Sequence, residues 1–227
     1  MPAKQKKLII WGAGGHASVV ADIIRQGGTR EIIGFVEDVT RGRRPRTFLN
    51  VRVIRDRNQL AGVLRAGARE MIIAIGDCEA RLHLAGVARR MGFRLGLAIH
   101  PRATVAPTAR IGAGSVVAAG AVICPGAVIG KNVIINTAAS VDHDCVLEDG
   151  VHICPGVHLA GSVIVGRGAW VGIGATAIEG VRIGRAAVIG AGGVVVGDIP
   201  DRMLACGVPA RVVRFLPEGR LPTLKRK

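Results

Sequence analysis

The chain has 227 residues, enough for one large domain or two ordinary ones. Its formal charge is +15, yet it has no tyrosine and only 3% aromatic residues. That argues against a base-stacking nucleic-acid platform and leaves small, phosphate-bearing ligands as the partners for the basic surface.

The first fifteen residues, MPAKQKKLIIWGAGG, carry basic side chains but no apolar core of signal length and no cleavage site, so a cytoplasmic location is expected. Residues 7–11 (KLIIW) read as a strand, followed at once by Gly12-Ala13-Gly14-Gly15-His16. Val19, Val20, Ile23 and Ile24 then follow at helical spacing. Gly12, Gly14 and Ala17 satisfy G-x-G-x-x-A, in which a glycine turn lets the backbone approach a phosphate at a helix N-terminus. A second strand, Glu31–Val36, ends in Glu37-Asp38, an acidic pair placed to hydrogen-bond a ribose or a base. A tight strand-to-helix turn that binds nothing is the plainer alternative; strand, helix and acidic pair together favour a nucleotide sugar, ahead of NAD. Residues 40–50, arginine-rich and broken by Pro45, read as an exposed loop. A helix Arg57–Arg65, a strand Glu70–Ile75, a helix Glu79–Met91 and a strand Arg94–Ile99 complete an α/β, Rossmann-like domain over residues 1–98.

From Ile99 a branched aliphatic residue returns every sixth position through Val105, Ile111, Val117 and onward to Ile189 and Val195, with Ala177 the one exception. A hexapeptide period reads as a parallel β-helix. Two residues before each beat the side chain is small or modest, as in Ala121, Ala127, Ala139 and Cys145, which alternation places on the same inner side. Three residues after the beat stands a residue that tolerates positive φ: nine times glycine, with Asn132 and Asp144 as substitutes. Three hexads close one triangular coil, and about five coils at roughly 4.8 Å spacing make a prism roughly 25 Å long. The uncharged window 111–130 has the length of a membrane span, but Pro125 and its glycines keep a register that runs on through charged sequence, so membrane insertion is not expected. Of the five cysteines none forms a CxxC pair, and three fall inside the coil pattern as small apolar fillers. The β-helix domain is expected to span residues 99–212, with a basic tail at 213–227.

The outward strand positions include Val116, Val122, Val128, Ile134, Val146, Ile164, Trp170, Val188 and Val194. So much outward aliphatic surface suggests burial against other subunits, with ligand clefts between neighbouring prisms. One stretch is out of character: Asn136, then Asp142-His143-Asp144, then His152 and His158. His143 stands two positions after a beat, where its side chain projects from the surface, and an adjacent carboxylate would suit a general base. An ordinary exposed histidine, with Asp144 as no more than a corner residue, remains open on spacing alone. His152 faces outward one coil below Trp170, as interface packing or ligand contact.

IIWGAGGHASVV, IAIGD at 73–77, IHPRATVAPTARIG, IINTAASVDHDC and GVPAR together resemble the bacterial hexapeptide acyltransferases that acetylate nucleotide-linked amino sugars. These include bacillosamine and perosamine N-acetyltransferases and the sialic-acid O-acetyltransferase-like proteins. The resemblance covers essentially the whole chain and implies a left-handed β-helix, a homotrimer and acetyl-CoA as donor, without metal. It further implies His143 as general base, supported by Asp144 where many members have glutamate. His152 would lie near the thioester; Asn136, Gly161, Ile173 and Ala191 would meet coenzyme A. Gly14, Gly15, His16, Glu37, Asp38 and Gly76 would contact the nucleotide sugar. The same fold could transfer acetyl to a sugar hydroxyl instead. His143, His152 and His158 also invite a zinc-dependent γ-type carbonic anhydrase, against which the nucleotide-type N-terminal domain argues.

Overall fold

The computed structural model describes residues 5–38 and 46–217. The N-terminal part is a three-layer α/β unit built from β1 (Lys6–Trp11), α1 (Gly15–Gly27), β2 (Arg30–Val36), β3 (Thr47–Phe48), β4 (Val51–Ile54), α2 (Leu60–Arg65), β5 (Glu70–Ile73), α3 (Cys78–Arg90) and β6 (Arg94–Leu95). The sheet order is β3-β4-β2-β1-β5-β6, parallel except for the β3–β4 hairpin. A central parallel strand is covered on both faces, which is why β1 reads as an unbroken apolar run. Leu8 and Ile10 join one apolar cluster with α1, while Ile9 and Trp11 join another with α2 and α3.

β7 (Ala98–Ile99) is the first rung of the prism, and sixteen two-residue strands, β8 to β23, follow between residues 104 and 195. They form three parallel sheets in which each residue pairs with the one eighteen positions on, as Val116 with Ile134, Ile134 with His152 and His152 with Trp170. The first face carries His152 and Trp170 outward, the second Ser140 and His158, the third Val128, Val146 and Ile164. The coils wind left-handed, and the aliphatic beats fill the interior together with the small residues two places earlier. All eleven expected corner residues have positive φ, and Ala138, Ser162 and Ala186 adopt the same conformation without glycine or asparagine. The expected fold class holds: an α/β Rossmann-like unit followed by an all-β left-handed parallel β-helix.

Four expectations change. The residues expected as one strand from Arg94 to Ile99 divide into β6 and β7, which belong to different sheets. Ile99 is 38% exposed despite being a beat, because its strand is the end of the stack. Residues 40–50 were expected as loop; 39–45 lie outside the described residues, and 47–54 form a hairpin turning through Leu49 and Asn50, both at positive φ. An edge-on contact of Phe48 with Phe35, 4.9 Å between rings, anchors that hairpin. The fourth change concerns outward aliphatics. Val116, Ile134 and Val188 are buried by the chain itself; Val116 and Ile134 pack in one cluster with Val20 and Ile24 of α1. Burial of a side chain such as Ile134 is worth about 1.5–3 kcal/mol. The part of the first face around Val116 and Ile134 is thus spent on docking the N-terminal unit, while the third face keeps aliphatic surface at Val128, Val146 and Ile164.

Past Val195 the stack is completed irregularly. Ile199 bridges to Ile183, and β24 (Met203–Cys206) extends the first face from Val188, with β25 (Arg211–Phe215) antiparallel beside it. β25 runs across the boundary expected at 212/213, and Leu216 beyond it is 4% exposed with its N–H bonded to Arg202 O; residues 218–227 lie outside the described residues. Among the described residues no helix is long and apolar enough to cross a membrane.

Candidate active site

The strand Ser140–Val141 ends at Asp142, and the chain turns from the second face to the third through His143 and Asp144. Asp142 Oδ1 accepts the His143 N–H at 2.7 Å, which holds the Asp142 carboxyl below its ordinary range and fixes the start of the turn. Asp144 sits at φ 57°, a conformation aspartate tolerates, and its Oδ2 lies 3.0 Å from His143 Nδ1. The two readings of Asp144 are therefore both true: corner residue and imidazole partner. That hydrogen bond raises the His143 pKa above the ordinary imidazole value, with lesser help from Asp142 and Glu179. With Nδ1–H donating to the carboxylate, Nε2 is left as the acceptor, on a side chain 53% exposed. The ring lies against Gly161 of the next coil: a Cβ there would come within 2.5 Å of His143 Cε1 and 2.6 Å of Nε2. Glycine at 161 is what lets the imidazole lie over the corner.

A second cluster occupies the junction between the N-terminal unit and the first face. Gly12, at φ 124°, passes so close over β5 that a Cβ would meet Ala74 O at 2.7 Å. Gly14, Gly15 and Gly76 are different: among the described residues a Cβ on any of them would meet nothing within 4 Å, which leaves room beside all three. Gly14 caps α1 without a side chain, leaving that helix terminus open to an anion. His16, one residue into α1, lies 6.4 Å ring-to-ring from His152, and its buried Nε2 has no hydrogen-bond partner among the described residues. His152 Nδ1 donates to the Gly76 carbonyl at 3.2 Å, its Nε2 is 3.5 Å from Asn136 Nδ2, and Trp170 meets it edge-on at 6.2 Å. Burial, aided by the Arg81 charge, pushes the His152 pKa down to about 3 and His16 to about 4, so both rings are neutral. His152 is thus both packed against Trp170 and tied to the junction.

The acidic pair is only partly as expected. Asp38 Oδ1 accepts Trp11 Nε1–H at 2.9 Å, Oδ2 pairs with Arg57, and the Arg57 guanidinium lies over the Trp11 ring at 5.1 Å. Asp38 therefore braces the sheet end. Glu37, beside it, is half-buried, with its N–H bonded to Ile54 O.

Asn136, Ile173 and Ala191 fall on the corner between the first and second faces, where Ile173 is 56% exposed. His143 and Gly161 fall on the corner between the second and third. One chain carries both corners but at opposite edges of the second face, so it does not bring them together. His158 lies elsewhere again, on the second face with Nδ1 2.8 Å from Ser140 Oγ. Among the described residues no three His, Cys, Asp or Glu side chains gather as a metal site, and the three histidines of the zinc reading occupy separate parts of the prism. A cleft of about 670 Å³ between α3, Arg167, Arg185 and Leu216 includes none of the expected site residues.

Arg81 is the residue sequence reasoning missed. It is fully buried, and among the described residues its partners are main-chain carbonyls and the Cys78 thiol. The signal was present: Arg81 shares the apolar face of α3 with Leu84, Ala85 and Ala88, an unusual place for a guanidinium.

Residues 7–87 match the family model for the PglD N-terminal domain. Over most of its length the chain is similar to PerB from Caulobacter crescentus, solved in complex with CoA and GDP-perosamine: 42% identity, TM-score 0.87, covering 92% of this chain and 97% of that one. It is likewise similar to the acetyltransferase domain of PglB from Neisseria gonorrhoeae, in complex with acetyl coenzyme A: 40% identity, TM-score 0.85, covering 92% and 100%. Of the curated relatives, galactoside O-acetyltransferase from Lactococcus lactis is 44% identical over 54 residues; the chain spans about a quarter of that protein, 26%. The α/β unit matching the PglD domain, the β-helix behind it and the near full-length likeness to two acetyltransferases converge: the chain belongs to the bacterial hexapeptide-repeat acetyltransferase family of nucleotide-linked amino sugars.

Proposed function

We propose that the protein transfers an acetyl group from acetyl-CoA to the amine of a nucleotide-linked amino-deoxy sugar, in clefts between the subunits of a homotrimer. The observation that carries this is the His143–Asp144 pair, with Nε2 directed outward over Gly161. In the reaction His143 Nε2 accepts a proton from the sugar amine as that nitrogen attacks the thioester carbonyl. Collapse of the tetrahedral adduct expels the coenzyme A sulfur, which takes up a proton, and the amide is released. Asp144 holds the imidazole in the required tautomer and supports its positive charge.

Residues 1–98 hold the nucleotide sugar, with its phosphates at the α1 terminus beside Gly14 and Gly15 and its other contacts from His16, Glu37, Asp38 and Gly76. Residues 99–212 hold the acyl donor, whose arm runs along the corner of Asn136, Ile173 and Ala191, with Gly161 and His152 nearer the thioester. The small, apolar and exposed character of Ile173 and Ala191 suits a pantetheine chain. Trimer formation is supported by the half-exposed aliphatic stripe Val128, Val146 and Ile164 on the third face, and by the separation of the two site corners within one chain. Similarity over 92% of this chain runs to a GDP-perosamine N-acetyltransferase crystallised with CoA and GDP-perosamine, whereas the O-acetyltransferase likeness covers 24% of this chain; the amine is the better acceptor.

The test is incubation of purified protein with acetyl-CoA and GDP-perosamine, followed by thiol release and product mass. Release of coenzyme A matched by a monoacetylated, base-stable product supports the reading. Turnover of neither GDP-perosamine nor the uridine and thymidine 4-amino sugars, under conditions where PerB is active, would refute it.

A further inference from the structure

Arg81 is buried, yet every oxygen it bonds is a main-chain carbonyl. Its Nε donates to Asn132 O at 2.8 Å and one terminal nitrogen to Gly150 O at 2.8 Å and Val151 O at 3.3 Å, all on the prism. The other terminal nitrogen donates to Ile75 O at 2.8 Å, Gly76 O at 2.9 Å and Asp77 O at 3.3 Å, on the turn between β5 and α3. If this seam needed only to be filled, an aliphatic residue of similar volume would do it without desolvating a charge. A planar fork does what an aliphatic residue cannot, holding carbonyls of two structural units in one fixed arrangement.

One of those carbonyls has a second donor. Gly76 O also accepts the Nδ1–H of His152, whose Nε2 stands beside Asn136. We propose that Arg81 is a positioning residue for acetyl transfer: by pinning the Gly76 carbonyl to the prism it fixes the tautomer and orientation of His152 where the nucleotide sugar and the acyl donor meet. This rests on the acetyl-transfer reading above. Two further observations agree. Gly76 has open space on its Cα side, so the turn Arg81 holds is one a ligand can approach. The Arg81 charge also adds to burial in keeping His152 and His16 neutral, as hydrogen-bonding rings at such a centre must be.

The test has two arms. In ¹⁵N-histidine-labelled protein, with His152→Gln as the assignment reference, the His152 signals of the wild type should report the Nδ1–H tautomer. Arg81→Lys keeps the charge, but one ammonium cannot reach both sets of carbonyls, so this tautomer should be lost or mixed in that variant and in Arg81→Met. In the kinetic arm, with acetyl-CoA and GDP-perosamine at a temperature where circular dichroism shows the variants folded, Arg81→Lys should lose roughly tenfold or more in kcat. Its coenzyme A dissociation constant should stay within about twofold of wild type, since Ile173 and Ala191 lie on a corner Arg81 does not touch. A purely structural arginine would instead lower stability and move both constants together. The proposal is overturned if wild-type His152 carries its proton on Nε2, or if Arg81→Lys keeps the wild-type tautomer with kcat within about threefold. The spectroscopic arm needs no turnover, so a wild type that acetylates no sugar would count against the reaction assigned above while the tautomer still decides the role of Arg81.

Discussion

The molecule holds two histidine centres that differ in almost every physical respect. His143 projects from a prism corner, 53% exposed, and its carboxylate neighbour raises its pKa. His152 is sealed into the domain junction, 8% exposed, and burial drives its pKa down to about 3. The same side chain is thus made more basic in one place and kept neutral at ordinary pH in the other. The first arrangement suits a group that must take a proton during the reaction; the second suits a group that must keep a fixed hydrogen-bonding pattern. Environment, not residue type, divides the roles.

The largest test of that division is His143→Ala, which should cost roughly 10²–10⁴ in kcat while both substrates still bind, since the imidazole acts mainly in the transition state. His143→Asn should be nearly as slow. A variant within about threefold of wild type, with chemistry shown to be the slow step, would reduce His143 to an exposed corner residue. Next in size is Gly161→Ala. The added methyl would overlap the imidazole, which is free to swing outward. Melting should hardly change, but kcat should drop roughly 10-fold or more as the ring leaves its place; unchanged kcat would mean that the ring position over Gly161 is not the working one.

A smaller effect is expected for Asp144→Asn, with roughly a threefold to tenfold loss of kcat. Its sharper signature is the pH profile. The base works only when neutral, so kcat/KM should fall as the pH drops through the His143 pKa, which stands above the ordinary 6.5. Removing the carboxylate removes the largest cause of that elevation, and the acid limb should move to lower pH. A limb that stays in place would detach Asp144 from the base. The smallest effect concerns the neutral pair. The folded pKa values of His16 and His152, about 4 and about 3, lie below the ordinary 6.5. Their contribution to stability is therefore fully present above pH 6.5 and is lost as the pH falls towards those values. Calorimetry should show a melting temperature declining over that window, less steeply in His152→Gln.

Much of this was legible in the amino-acid order because the β-helix writes its geometry into every hexad. Most corners carry a residue tolerant of positive φ and each interior position a small or branched aliphatic side chain, so sixteen strands and their corners follow from counting. The glycine turn at Gly12–Gly15 and the His143–Asp144 neighbours are likewise local features. What stayed hidden depends on contacts distant in sequence. Nothing around Val116 or Ile134 marks their face as the seat of α1, and the hairpin at Phe48 depends on its meeting with Phe35. The Asp38 carboxylate is spent on Trp11 and Arg57, 27 and 19 positions away in the chain. Arg81 is the extreme case, a charge whose partners are carbonyls of residues up to 70 positions away.

In the proposed assembly the His143 corner of one subunit works with the Ile173–Ala191 corner of another. Complementation tests it directly. His143→Ala and Ala191→Arg, each inactive alone, would be co-refolded in equal amounts and assayed with acetyl-CoA and GDP-perosamine. In a cyclic trimer every mixed assembly contains one cleft with both corners intact, so activity should return to roughly a quarter of wild type. A mixture that exchanges subunits yet stays as inactive as its parents would contradict the shared site and confine both corners to a single chain.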